Sequence, residues 1–291
     1  MIVITTPTGD IGRQILDRLL GSGEAVRVIA RDSSHLPDHV RTQADVVEGS
    51  HADPITIAKA LQDADQLFWL VPPADFQDAK PARSHYLDFT RAAAREAASR
   101  NVRMVHVTSL GYGYGGEAGL LSAAFGMDEL IESTGVQYRA LAVPFFMENI
   151  LRQAQPITQQ GVFSMANTAD RPLPTVATRD VAAAAAALLL DTTWSGQARI
   201  PLVGPDNLTP DAMAGIISET LGRPVRYEQV PLSGFQARLV QLGASPSLAR
   251  EWAGMVDAQN NGIYDAEPHG AVCATGFRDW CRNVLKPAVR T

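Results

Sequence analysis

Residues 1–20 read MIVITTPTGDIGRQILDRLL, and the fold is decided there. A β-branched run over residues 1–5 breaks at Thr6-Pro7-Thr8-Gly9-Asp10-Ile11-Gly12. Ile11, Ile15, Leu16, Leu19 and Leu20 then recur at helical spacing with charges between them. Strand, glycine turn and helix form the opening unit of a dinucleotide-binding sheet. Gly9 and Gly12 are spaced as the last two glycines of its fingerprint. The first lets backbone approach a pyrophosphate, the second lets helix and strand pack closely. The helix N-terminus adds unpaired N–H groups that point at the anion. Thr6, Thr8, Gly9, Asp10, Ile11 and Gly12 are therefore the expected phosphate-side contacts.

Working outward, the alternation continues. Strands are expected at 25–30, 45–48, 66–71, 102–108 and 138–143, separated by helices at 54–61, 82–100 and 120–133. Strands alternating with helices imply a parallel sheet covered on both faces, a doubly wound α/β Rossmann domain. After Pro144 the rhythm becomes irregular. Residues 145–155 look helical and 160–165 form a short strand. Residues 172–175 lie in a loop leading to a helix at 180–190, and a further strand spans 198–203. Thr209-Pro210-Asp211 is an N-cap, an N1 proline and a first-turn acid, opening a helix to Leu221. Further helices are expected at 233–242, 247–259 and 276–285. The expected organisation is a cofactor domain over 1–155 and a smaller C-terminal α/β lobe over 156–291, interleaved with it, for substrate or partner.

Composition narrows the class. The 291 residues are 46% hydrophobic and 19% charged, with a net charge of −6. That charge argues against a surface that holds nucleic acid by counterion release. No apolar run spans a bilayer, so no membrane partner is expected. Cys273 and Cys281 are too few for a disulfide scaffold and lack the companions of a zinc site, so no metal is expected. The N-terminus resembles no signal peptide, and a cytoplasmic location follows as the default. A homodimer stays open.

Cofactor choice is read where the second strand ends, at Ala30-Arg31-Asp32. Arg31 is placed to fork a 2′-phosphate, which favours NADP(H), whereas Asp32 keeps NAD(H) open through the ribose hydroxyls.

Blocks along most of the chain, in this order, resemble the NmrA-like group of atypical short-chain dehydrogenases/reductases. They are TPTGDIGRQIL, VRVIAR, DVVEGSHADPITIAKAL, NVRMVHVTSLG, DELIESTGVQYRALAVPFFMEN, TRDVAAAAAALLLD and LVGPDNLTPDAMAGIISETLGRPVRYEQV. The resemblance implies a Rossmann fold with a small lobe, and NAD(P) binding. Some members reduce quinones or other carbonyl and alkene substrates; some only sense the cofactor and bind a protein. It also implies that Asn149, in the F-x-E-N element, lies near the cofactor. Four departures stand out. Thr6 occupies the position of the usual first glycine, and Ser50 that of a common acid. The Tyr-x-x-x-Lys pair is missing, since Gly116 follows Tyr112 and Ala118 follows Tyr114 at that spacing. Ala124 stands where many members keep a lysine, and no lysine occurs between Lys80 and Lys286.

Chemistry must then come from other groups at the strand ends. Ser109 and Tyr112, after the fifth strand, are the candidate catalytic residues, able to hydrogen-bond a substrate oxygen; as alternatives, Ser109 caps a turn and the tyrosine packs the loop. His106 reads as a core histidine, and His51 and His85 are less constrained. Val71 and Pro72, Thr108, and Pro144 end strands where the nicotinamide belongs. The apolar runs 68–73 and 143–147 suit a hydrophobic substrate such as a quinone. The expected activity is an NAD(P)H-dependent reduction of a small hydrophobic carbonyl, enone or quinone. The alternatives are a cofactor-sensing regulator with a protein partner, and a biosynthetic enzyme using NADP(H) for epimerisation or cyclisation.

Overall fold

The computed structural model describes residues 1–73, 80–267 and 271–289. The first half follows the predicted alternation. Its strands are β1 (Ile2–Ile4), β2 (Val26–Ala30), β3 (Asp45–Glu48), β4 (Gln66–Trp69), β5 (Arg103–Ser109) and β6 (Tyr138–Val143). Between them run α1 (Asp10–Leu20), α2 (Asp38–Gln43), α3 (Pro54–Ala60), α4 (Ala82–Ser99) and α5 (Leu121–Ser133). The short α2 carries one buried residue, Val40, too little periodicity to announce itself in the sequence.

The second half holds β7 (Phe145–Phe146), α6 (Ala154–Gln160), β8 (Val162–Met165), β9 (Thr175–Val176), α7 (Thr178–Leu190) and β10 (Gln197–Val203). It continues through α8 (Pro210–Leu221), β11 (Arg226–Gln229), α9 (Leu232–Gln241), α10 (Pro246–Asn260), β12 (Ala271–Val272), α11 (Phe277–Trp280) and α12 (Lys286–Ala288). The helix expected over 145–155 resolves into β7, a 3₁₀ segment over Met147–Gln153 and the start of α6. The β7–β9 pair draws Phe145 and Phe146 into a two-stranded ladder, and helical geometry begins only beyond it. The helix expected over 276–285 is α11 followed by a π-helical turn at Cys281–Leu285.

The central sheet has the order β12-β10-β6-β5-β4-β1-β2-β3, and every neighbouring pair is parallel. One face packs on α1 and α7 through Ile4, Val28, Phe68, Val105 and Leu141 against Ile15, Leu19, Val181 and Ala185. The other packs on α3, α4 and α5 through Val3, Leu67, Trp69 and Met104 against Ile57, Ala94 and Ile131. The doubly wound fold is therefore as read from the sequence. A further core is built mainly by the second half, from Phe163, Met213, Ile217, Phe277 and Trp280, and takes in Leu110, Ala118 and Ala142 from the first. Even so, β10 and β12 from that half extend the central sheet, and α7 covers its face. No helix among the described residues is long and apolar enough to cross a membrane.

Candidate cofactor and active site

Because all strands run the same way, their C-terminal ends share one edge, where Rossmann ligands sit. Along that edge, in sheet order, stand Pro144 after β6, Thr108 and Ser109 ending β5, and Val71 and Pro72 after β4. Thr6 follows after β1 and Arg31 after β2. Four strand spacings separate the extremes, a row of roughly 20 Å. The predicted residues from the two ends of the chain's first half are thus brought into one line.

The β1–α1 turn lies in this row between the ends of β4 and β2. Thr6 adopts φ +49°, left-handed backbone that a β-branched residue rarely takes. The position normally held by glycine keeps the glycine conformation here, at a cost of about 1–2 kcal/mol. Its carbonyl accepts the Gly9 N–H at 3.0 Å, and its buried Oγ1 has no partner among the described residues. Gly12 is held against that same carbonyl: a Cβ there would lie 2.2 Å from Thr6 O. No side chain caps α1, whose N-cap is Gly9. The amides of its first turn are left for an external acceptor. This cradle fits a dinucleotide pyrophosphate. Thr8 and Asp10 are exposed at its rim, and Ile11 is buried on the core-facing side of α1.

At the end of β2 the two candidate cofactor-choosing residues differ. Asp32 caps a 3₁₀ turn, accepting the Ser34 N–H at 2.8 Å. Hydrogen bonding from the Ser34 side chain, and then from this backbone N–H, holds its carboxyl below the usual range. Arg31 is exposed and makes no hydrogen bond or ion pair with the described residues. The cation is available, while the acid already serves the turn.

Next to this end, His51 is buried between Trp69 and Phe89, edge-on to both, and its Nε2 has no partner among the described residues. Burial pushes its pKa down to about 4 from 6.5, against a supporting hydrogen bond to Leu70, with Arg31 and His85 adding repulsion. The unfolded chain therefore takes the proton first. His51 stability is complete above about pH 6.5 and is lost as the pH falls from there towards 4. The loss amounts to about 3 kcal/mol at most. Urea melts between pH 6.5 and 4.5 should show a flatter pH dependence for His51→Phe than for wild type; identical slopes would remove His51 from this account. His85 hydrogen-bonds Pro72 O at 2.9 Å, holding α4 to the end of β4.

The end of β5 carries a charged network that the sequence did not reveal. Asp128, on α5, receives His106 Nε2 and the Thr108 hydroxyl, each at 2.8 Å, and the Arg199 guanidinium from β10. Arg199 also forks Glu267 at 2.9 and 3.1 Å and donates to Ser109 O at 2.9 Å. Burial works against the Arg199 charge, but the two carboxylates outweigh it and its pKa is raised. Glu267 accepts the N–H groups of Gly111 and Tyr112 at 3.0 and 3.3 Å. The predicted core histidine is indeed fully buried.

The two candidate catalytic residues sit on this network. Ser109 is buried and donates its hydroxyl to Leu110 O at 2.9 Å. Tyr112 is exposed, its ring over Arg199 at 4.7 Å and edge-on to Phe125. Partial burial and the Glu129 and Glu132 carboxylates raise its pKa above 10, with Arg199 pulling the other way. Tyr112 thus keeps its hydroxyl proton at neutral pH. Thr108 turns its hydroxyl into the network.

Asn149 lies half-buried in the 3₁₀ segment after Pro144, and its neighbour Glu148 has a structural task. Glu148 accepts the Thr178 N–H at the start of α7 and the Trp280 indole N–H, at 3.0 and 3.2 Å. A concavity of about 490 Å³ between α6, α8 and β11 lies on the lobe and includes none of these residues.

Fold and turn together define a dinucleotide-binding Rossmann protein. The chain belongs to the NmrA-like family of NAD(P)H-binding proteins. The NAD(P)H-binding family matches residues 7–192 and the NmrA-like family residues 120–274. It is 28% identical over 287 residues to the (4-alkanoyl-5-oxo-2,5-dihydrofuran-3-yl)methyl phosphate reductase of Streptomyces griseus, covering 96% of each chain. It is 24% identical to quinone oxidoreductase 2 of Escherichia coli, covering 91% of this chain and 90% of that one. Among solved structures, the triphenylmethane reductase of Citrobacter sp., complexed with NADP(H), superposes with a TM-score of 0.75 at 19% identity. That match covers 100% of this chain and 99% of the other.

Proposed function

We propose that the chain is an NADPH-dependent reductase of a small hydrophobic carbonyl, enone or quinone. The observation that carries this reading is the β1–α1 cradle, with Gly12 pressed on the Thr6 carbonyl and α1 left uncapped. Residues 1–155 would hold the cofactor and 156–291 close the substrate side. The Gly9–Gly12 backbone would take the pyrophosphate, and Arg31 the 2′-phosphate. Val71, Pro72, Pro144 and Asn149 would border the nicotinamide. When bound, the dinucleotide supplies a hydride. Tyr112 supplies the proton to the reduced oxygen, because its hydroxyl stays protonated at neutral pH and its ring is exposed. Ser109 must release Leu110 O before it can donate to a substrate. The names of the relatives support a reductase. The apolar ends of β4 and β6 support a hydrophobic acceptor.

The test pairs binding with turnover. NADPH and NADH are titrated against wild type and Arg31→Ala, and NADPH oxidation is followed with a panel of quinones. NADPH affinity should fall about 10- to 100-fold in the variant, the value of a charged hydrogen bond, with NADH affinity unchanged. Equal NADPH affinity in the two proteins would remove Arg31 from cofactor choice. Tight NADPH binding without oxidation by any acceptor would favour the sensor.

A further inference from the structure

The loop that carries Tyr112 is built to move and yet is held. Residues 111–116 read GYGYGG, with Gly111 and Gly113 at φ +98° and +91°. Such a sequence is entropically costly to fix. It has no regular secondary structure between β5 and α5. What fixes it comes from far along the chain. Ile263 is packed so closely on Gly111 that a Cβ there would lie 2.6 Å from its Cγ1 and carbonyl oxygen. Four residues on, Glu267 takes both N–H groups at the root of the loop.

Glu267 is in turn oriented by Arg199. The guanidinium fork leaves the carboxylate one geometry, and Arg199 also grips the Ser109 carbonyl and underlies the Tyr112 ring. Side-chain exposures of 17% for Arg199, 11% for Glu267 and 5% for Asp128 keep the cluster largely out of solvent. We propose that Arg199 and Glu267 are positioning residues for the reduction. They clamp the glycine loop so that Tyr112 is presented to the substrate from one fixed place. The clamp rests on the reading of Tyr112 as proton donor. It assigns to β10 and the 263–267 segment a part in the reaction that neither performs by touching the substrate.

The experiment compares Glu267→Gln and Arg199→Lys with Asp206→Asn, in the full chain. Asp206 accepts the Phe277 N–H at the start of α11, away from the loop, and serves as the control for a general loss of stability. Amide hydrogen exchange is read first, without substrate. The peptide covering 110–116 should exchange at least about tenfold faster in both clamp variants, with the β1–β5 core and NADPH affinity unchanged, whereas Asp206→Asn leaves that peptide alone. With NADPH and 1,4-naphthoquinone, kcat should fall about tenfold while the KM for NADPH holds. Arg199→Lys should retain more activity than Arg199→Met. In a Tyr112→Phe background, Glu267→Gln should cause no further loss of kcat. Unchanged exchange at 110–116, or an equal rise in the Asp206→Asn control, overturns the clamp. If the wild type binds NADPH but reduces no quinone, the reductase reading fails and the positioning role in a reduction falls with it. The exchange result, read without substrate, shows which of the two has failed.

Discussion

Gly12→Ala should lose NADPH binding by at least about 100-fold, or about 2.7 kcal/mol. A methyl at this position meets Thr6 O at 2.2 Å and Thr6 C at 2.9 Å. Both atoms are backbone, so neither can swing aside as a side chain would. Either α1 moves off β1 or the Thr6 peptide turns over, and each movement dismantles the cradle. Overpacking of this kind costs about 1–3 kcal/mol, and Thr6 has little slack because its φ of +49° is already unfavourable. Gly9→Ala is the contrast: its Cβ would sit 3.4 Å from Thr6 O, an ordinary contact. Its melting temperature should stay close to wild type. Fluorescence titration with NADPH and thermal melts of both variants give the answer. An affinity for NADPH within threefold of wild type in Gly12→Ala would mean that the turn is not the cofactor site.

The second large effect is on stability. Arg199→Met removes the cation that separates Asp128 from Glu267 and leaves two carboxylates in a space that is largely dry. Breaking a buried pair in this way costs about 3–5 kcal/mol, and a chain of this size would melt about 10 °C lower. Adding Asp128→Asn and Glu267→Gln to the same protein should recover much of the loss, because no uncompensated charge then remains. A melting temperature within about 2 °C of wild type for the single variant would show that solvent or the Gly111, Tyr112 and Thr108 donors already balance the acids.

These two sites show what the sequence does and does not carry. Gly9 and Gly12 were legible because they follow the first strand and open its helix, and Arg31, Pro72 and Pro144 because they lie just beyond the ends of β2, β4 and β6; in a parallel sheet every strand end reaches the same edge. The departure at Thr6 was legible as well, although its solution, a threonine held in glycine geometry, was not. The Asp128–Arg199–Glu267 network was hidden because its members are 71 and 68 residues apart and join only when β10 pairs with β6. One hint was present: Arg199 interrupts the apolar run from Ala198 to Val203, and a charge in that place needs a buried partner. β7, β9 and β12, two residues each, lay below what alternation can detect, and β11 reads RYEQ, with no apolar alternation to mark it.

The place of β10 in the central sheet, and of α7 over its face, has a practical consequence. The change of rhythm near residue 155 looks like a seam, and a protein engineer would cut there. Such a fragment would leave β6 with a bare hydrogen-bonding edge. It would also uncover Phe68, Val105 and Leu141 where α7 had covered them. The halves were joined by exchange, each lending the other a wall, and what the sequence presents as two rooms is one room with a shared partition.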